Sequence, residues 1–154
     1  MKKTLLFLFM TVFALSFSAC GSDDDDNGDG SDGNKIEVSA EMQYKSGENY
    51  LPDAGSQIYH FKDFSDYVNY NYVGKGVFEH KTENKKVTYT TKGVAGSDGI
   101  AKMEIGGGQR CLIVWESGNI EGKYGQNVYD VVKDLQPIKI SQIYFSETSQ
   151  PSYK

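Results

Sequence analysis

From residue 36 the chain alternates apolar and polar positions. Ile36, Val38, Ala40, Met42 and Tyr44 interleave with Glu37, Ser39, Glu41 and Gln43. A period of two with one wet face predicts a β-strand lying on a core. Lys45-Ser46-Gly47-Glu48-Asn49 and Leu51-Pro52-Asp53-Ala54-Gly55 read as turns. Residues 57–61 predict a second strand. Residues 86–91 predict a third, β-branched, with Val87 and Tyr89 on one face. Ser97-Asp98-Gly99 makes a tight turn into a strand at 100–105. Between 110 and 116, Cys111, Leu112, Ile113, Val114 and Trp115 form an unbroken apolar run, which predicts a central strand covered on both sides. Residues 128–132 and 138–145 complete the set, with Pro137 where a strand can begin. Gly106-Gly107-Gly108, between two predicted strands, reads as a hairpin turn and lacks the strand-to-helix context of a phosphate cradle. Residues 63–72 break the pattern. Phe64, Tyr67, Val68 and Tyr72 approach helical spacing among Tyr and Asn, and both a short helical turn and a decorated loop fit. The whole predicts an all-β, antiparallel sandwich of about seven strands with a helical or loop insertion near 63–75.

The pattern upstream is of another kind. Lys2 and Lys3 precede an apolar run over 5–17, interrupted only by Thr11 and Ser16, and Ser18, Ala19 and Cys20 follow. A positive start, a short apolar stretch and small residues at its end predict a secretory signal over 1–19. A membrane-spanning helix needs about 20 apolar residues, and this run is shorter. Phe17-Ser18-Ala19-Cys20 resembles the bacterial lipobox, with Phe17 in place of the usual Leu, Val or Ile. The resemblance implies that Cys20 is lipidated and opens the mature chain. A multiply acylated Cys meets the two-chain requirement for stable anchoring, at about 0.8 kcal/mol per buried CH₂.

Charge separates the remaining two parts. Six of the 21 acidic residues fall between 23 and 32, and the segment 21–34 has no apolar side chain. That composition cannot offset ordering entropy, so with Cys20 it predicts an acidic, flexible tether over 20–34. Fourteen residues reach at most about 45–50 Å. Ser22-Asp23-Asp24-Asp25-Asp26 resembles the acidic export signal that follows the lipidated Cys in Bacteroides-group lipoproteins, which implies display on the outer face of the outer membrane. An inert solvated spacer is the alternative. Asp23, Asp25, Asn27 and Gly28 also match the opening of a calcium loop, but Asn34 stands where a bidentate Glu belongs and no amphipathic helix flanks it, so no metal is expected. Without Lys2, Lys3 and the six tether acids, residues 35–154 keep 14 basic and 15 acidic side chains, a net of −1. A nearly neutral domain gives no footing for nucleic acid.

Within 35–154, Tyr50-Leu51-Pro52-Asp53-Ala54-Gly55 and its following strand resemble the opening of transthyretin-like (prealbumin-like) and carboxypeptidase-regulatory-like domains. Gly96-Ser97-Asp98-Gly99, the strand to Ile105, Gly108 and Leu112-Ile113-Val114-Trp115 resemble their turn–strand–glycine–strand unit. The connection of about 35 residues between 62 and 96 is longer than that frame. Transthyretin-fold hydrolases of purine catabolism end in Tyr-Arg-Gly-Ser; this chain ends Gln150-Pro151-Ser152-Tyr153-Lys154, so the resemblance implies no catalysis.

No catalytic residue, metal ligand or cofactor is therefore expected. His60 and His80 lack zinc-ligand spacing, His60 reads as a half-buried strand residue and His80 as surface. Cys111 reads as inert packing. All 11 Tyr lie in the domain, and Tyr67, Tyr70 and Tyr72 sit beside Asn69 and Asn71. Tyr/Asn surfaces suit glycans and protein partners, which makes these three the candidate ligand patch; their frequency in strands is the plain alternative. The sequence thus predicts a lipid-anchored, surface-displayed, non-enzymatic binding or accessory module. The rivals are a structural subunit of an outer-membrane complex and a small hydrolase using His60 with a carboxylate.

Overall fold

The structure, a computed structural model, describes residues 35–107, 110–130 and 136–148. Among the described residues are eleven strands: β1 (Lys35–Ser46), β2 (Asn49–Pro52), β3 (Gln57–Lys62), β4 (Tyr70–Gly74), β5 (Val77–His80), β6 (Lys86–Thr88), β7 (Thr91–Val94), β8 (Ile100–Gly106), β9 (Arg110–Glu116), β10 (Tyr124–Asp130) and β11 (Ile138–Phe145). A 3₁₀ turn at Tyr67–Asn69 precedes β4.

Three sheets stack. In the first, β1 carries β11 on one edge, and β8 and then β2 in succession on the other. The second runs β10-β9-β3-β7, and the third β4-β5-β6. Between the first two lies the larger core, with Val38, Ala40 and Met42 from β1, Ile58 from β3, Ile113 and Trp115 from β9, and Ile143 and Phe145 from β11. The other face of the middle sheet, Tyr59, Phe61, Leu112 and Val114, packs under Phe64 and Phe78 in a second core. The unbroken run of β9 follows from this position, because alternate residues serve both cores. The outer face of β1 stays wet, with Glu37 and Lys35 paired to Lys102 and Glu104 of β8.

The expected all-β sandwich is present, and most departures from it share a cause. Of the insertion expected near 63–75, residues 63–69 hold the short helical turn, a 3₁₀ turn at Tyr67–Asn69, while Tyr70–Gly74 is a strand; it opens a three-stranded meander that roofs the middle sheet within the long connection between 62 and 96. Its strands are short, and turns at 63–69 and 74–76 interrupt any longer alternation. The strand expected at 86–91 is split at Tyr89 and Thr90 between the third sheet and the second. The Leu51–Pro52 end of an expected turn closes β2. Strand β10 begins at Tyr124, four residues before the apolar signal at Val128.

Two connections are corrected outright. The glycines after Ile105 do not make a hairpin, because β8 pairs with β1 while β9 pairs with β3 and β10. Gly106 ends β8 and Gly107 follows it, while Gly108 lies outside the described residues. The sheet is also not purely antiparallel: β11 runs parallel to β1, with a bulge that places Gln142 at φ 56. Opposite that side, Gly93 of β7 lies so close to the Lys102 carbonyl that a Cβ would collide with it, so the two sheets converge at β7 and β8.

Candidate functional site

The roof begins at a sharp bend. Asp63 adopts φ 54, which turns the chain off β3 and sets Phe64 into the second core. Phe64 meets Phe61, Phe78 and Tyr70 at ring separations of 5.8, 5.1 and 5.0 Å. Along β4, Tyr70 and Tyr72 turn inward while Asn71 and Val73 face solvent. Tyr70 packs edge-on against His80 at 4.8 Å, and Tyr72 lies 4.5 Å from Tyr124. Both are half-buried.

A carboxylate latches the roof to the middle sheet. The Tyr72 hydroxyl donates to Glu116 Oε2 at 2.6 Å and accepts the Gly76 N–H at 2.9 Å. The Lys75 N–H donates to the same oxygen at 2.8 Å. Gly76, at φ 70, has Tyr59 and Tyr89 against the position of a Cβ, so only glycine closes this turn. Burial foremost, and then the bond to Glu116, pushes the Tyr72 phenol well above its ordinary value. Burial, followed by the charges of Glu116 and Tyr89, pushes Tyr59 up to about 12.

At the foot of the roof is a cavity of about 180 Å³, lined by Asp63, Phe64, Ser65, Tyr67, Arg110, Cys111 and Val128. An apolar cavity of roughly 150 Å³ holds one six-membered ring. This one adds a carboxylate, two hydroxyls and a guanidinium to aromatic walls, and can take a small polar group. The candidate tyrosines Tyr67, Tyr70 and Tyr72 all pack against the second core, and of the three Tyr67 also lines the cavity. The three do not form one exposed platform.

The other chemistry-bearing side chains hold the fold together. Fully buried Asp53 accepts Ser117 Oγ–H at 2.5 Å and Asn119 Nδ2–H at 2.8 Å, with the N–H groups of Gly118 and Asn119 at 3.2 and 3.1 Å. This clasp joins the β2–β3 and β9–β10 connections, and Gly118 fits because its Cα lies against the 54–56 backbone. Turn composition drew attention to Asp53 only as a loop former; a lone acid beside Ala54 and Gly55 carries no signal of its partner 64 residues away. His60 is buried rather than half-buried, and its Nδ1 has no hydrogen-bond partner among the described residues. Burial foremost lowers its pKa, with Lys62 adding to the effect and Asp63 opposing it. His80 is not ordinary surface: its Nδ1 accepts the Glu83 N–H at 3.0 Å and caps the turn after β5. Cys111 is buried in the larger core.

Cys20, Ser22, Asp23, Asp24, Asp25 and Asp26 lie outside the described residues. Among the described residues no helix is long and apolar enough to cross a membrane, and no group of three or more His, Cys, Asp or Glu is placed to hold a metal ion.

No protein-family model matches the chain, and no curated protein matches it. Among solved structures it is similar to GBS52, the minor pilin in the Gram-positive pathogen Streptococcus agalactiae, with a TM-score of 0.40 and 12% identity. The alignment covers 77% of this chain and 47% of that one, so the chain spans about half the length of that pilin.

Proposed function

We propose that the chain is a non-enzymatic module, anchored by acylated Cys20 in the outer membrane of a bacterium of the Bacteroides group and displayed on its outer face to bind a glycan or protein partner. The carrying observation is how the polar groups are employed. Asp53 is consumed by the loop clasp, Glu116 by the roof latch and His80 by its turn, while His60 is enclosed between two sheets. None of these lines the cavity at the foot of the roof, whose walls combine ring faces with polar tips in the manner of a recognition site. Anchoring rests on the lipobox-like Phe17-Ser18-Ala19-Cys20 and the acids behind it.

The test has two readouts on the full chain. A fatty-acid probe should label it in bacterial cells, and Cys20→Ala should abolish the label. Binding on an array of glycans should fall in Tyr67→Ser, whose side chain lines the cavity, while the unfolding transition is retained. Labelling that survives Cys20→Ala sinks the anchor, and an array with no glycan retained sinks the glycan half of the proposal. A second reading, a subunit of a larger assembly, is favoured by the outer edge of β10, which no described strand pairs.

A further inference from the structure

Every open sheet offers edges, and among the described residues most of them are short, bulged or closed by a neighbouring strand. Strand β2 has four residues and ends in Pro52. Strand β6 has three. Strand β4 is bulged between Tyr72 and Gly74, and β11 is bulged at Gln142. Strand β7 has four residues and converges with β8. Strand β8 is also seven residues in unbroken register with β1, but Gly93 of β7 closes against its Lys102 carbonyl and it carries Lys102 and Glu104. Strand β10 differs from the rest: its seven residues pair with β9 in unbroken register, without proline or bulge, and no described strand pairs with its other edge.

The hydrogen-bond phase of β10 shows which groups that edge presents. The Ser117 N–H donates to the Lys123 carbonyl, so Lys123, Gly125, Asn127 and Tyr129 are the residues whose backbone bonds face β9. The N–H and C=O groups of Tyr124, Gln126 and Val128 therefore point away from the sheet. In agreement, the Val128 N–H is taken by the Asn127 side chain at 2.9 Å rather than by a strand. An open cavity of about 390 Å³ is lined by residues 122–126.

We propose that β10 is a homotypic interface: two copies of this chain pair antiparallel along it, joining two four-stranded sheets into one of eight. The edge is complementary to itself. Its three outward residues are symmetric about Gln126, so a twofold axis there sets Tyr124 opposite the partner's Val128 and Gln126 opposite its own copy. Each of these pairs falls in the hydrogen-bonded phase of an antiparallel ladder. No charged residue lies from 124 to 129, so self-pairing brings no like charges together along the ladder. An isologous contact of this kind closes as a dimer. The Asn127 side chain must release the Val128 N–H, which makes the contact reversible. Display on a membrane, if the anchor is present, would raise its occupancy without being required for it.

The experiment uses the full chain purified in detergent, with light scattering that separates protein from detergent mass across a concentration series. A monomer–dimer equilibrium is expected. In Gln126→Lys two ammonium groups oppose each other at the axis, and dimerisation should weaken and recover with added salt. In Gln126→Pro the lost N–H faces outward, so no β9–β10 bond is broken, while two intermolecular bonds per dimer disappear. Dimerisation should then weaken by about thirtyfold. A wild-type chain that stays monomeric throughout overturns the proposal. So does a dimer that Gln126→Lys leaves unchanged; that exposed substitution keeps the test decisive if proline disturbs the fold.

Discussion

Asp53 receives four donors from one loop and presents its carboxylate to no solvent, so its removal acts twice. Asp53→Ala takes away the acceptor and leaves the Ser117 hydroxyl and the Asn119 amide without it inside the clasp. An expected cost is about 2–4 kcal/mol, read as a lowered urea midpoint with unchanged slope. Asp53→Asn keeps one acceptor oxygen and should cost less than half as much. His60 acts in the opposite chemical sense. Its folded-state pKa lies below the unfolded 6.5, so the unfolded chain binds more protons as pH falls. The stability it contributes is whole above pH 6.5 and drains away below it. His60→Met should flatten this acid slope in unfolding midpoints taken across pH 4–8; an unaltered slope would place the acid sensitivity elsewhere. Neither role was readable from the chain. Residue type marks Asp53 as a turn former and His60 as a strand residue, while partners and burial are set by contacts with distant loops and sheets.

At the level of strands, legibility followed the number of faces each had to bury. Strand β1 covers one core and exposes one face, so its alternation predicted both. Strand β9 serves two cores, so its run of five apolar residues announced a central position. The roof strands have only one inward residue in two over three to five positions, and those residues are often Tyr. Tyr70 and Tyr72 therefore looked like a surface patch, although their rings cover the middle sheet. This is why replacing all three candidate tyrosines would test packing as much as binding. The latch gives a cleaner probe of the roof. Glu116 raises the pKa of both Tyr59 and Tyr72, so Glu116→Gln should bring both ionisations to lower pH in an ultraviolet titration of tyrosinate. Folded pKa values above 10.0 mean that this stabilisation is complete below pH 10 and is lost as pH rises towards 12. The roof should accordingly detach in alkali, and do so at lower pH in Glu116→Gln. Equal tyrosinate curves in the two proteins would show that Glu116 does not hold it.

For the molecule as a whole, charge and fold are separable in sequence. The domain residues are close to neutral, and the four-Asp tract stands before the first described strand residue, Lys35. None of the described packing, from the wet face of β1 to the roof, uses those acids. If the tract acts as an address, changing it should alter position and leave stability alone. Replacing Asp23, Asp24, Asp25 and Asp26 by Asn removes four charges while retaining polarity and length. Unfolding of the domain should then stay within about 0.5 kcal/mol of the parent, as for substitutions remote from a core. Protease applied to intact cells should digest the parent and spare the Asn variant, with equal fatty-acid labelling at Cys20 in both. Equal digestion would make the acids a spacer whose work is solvation. Protection without labelling would instead trace the defect to processing at Cys20, since an outward address acts on a chain that already carries its anchor.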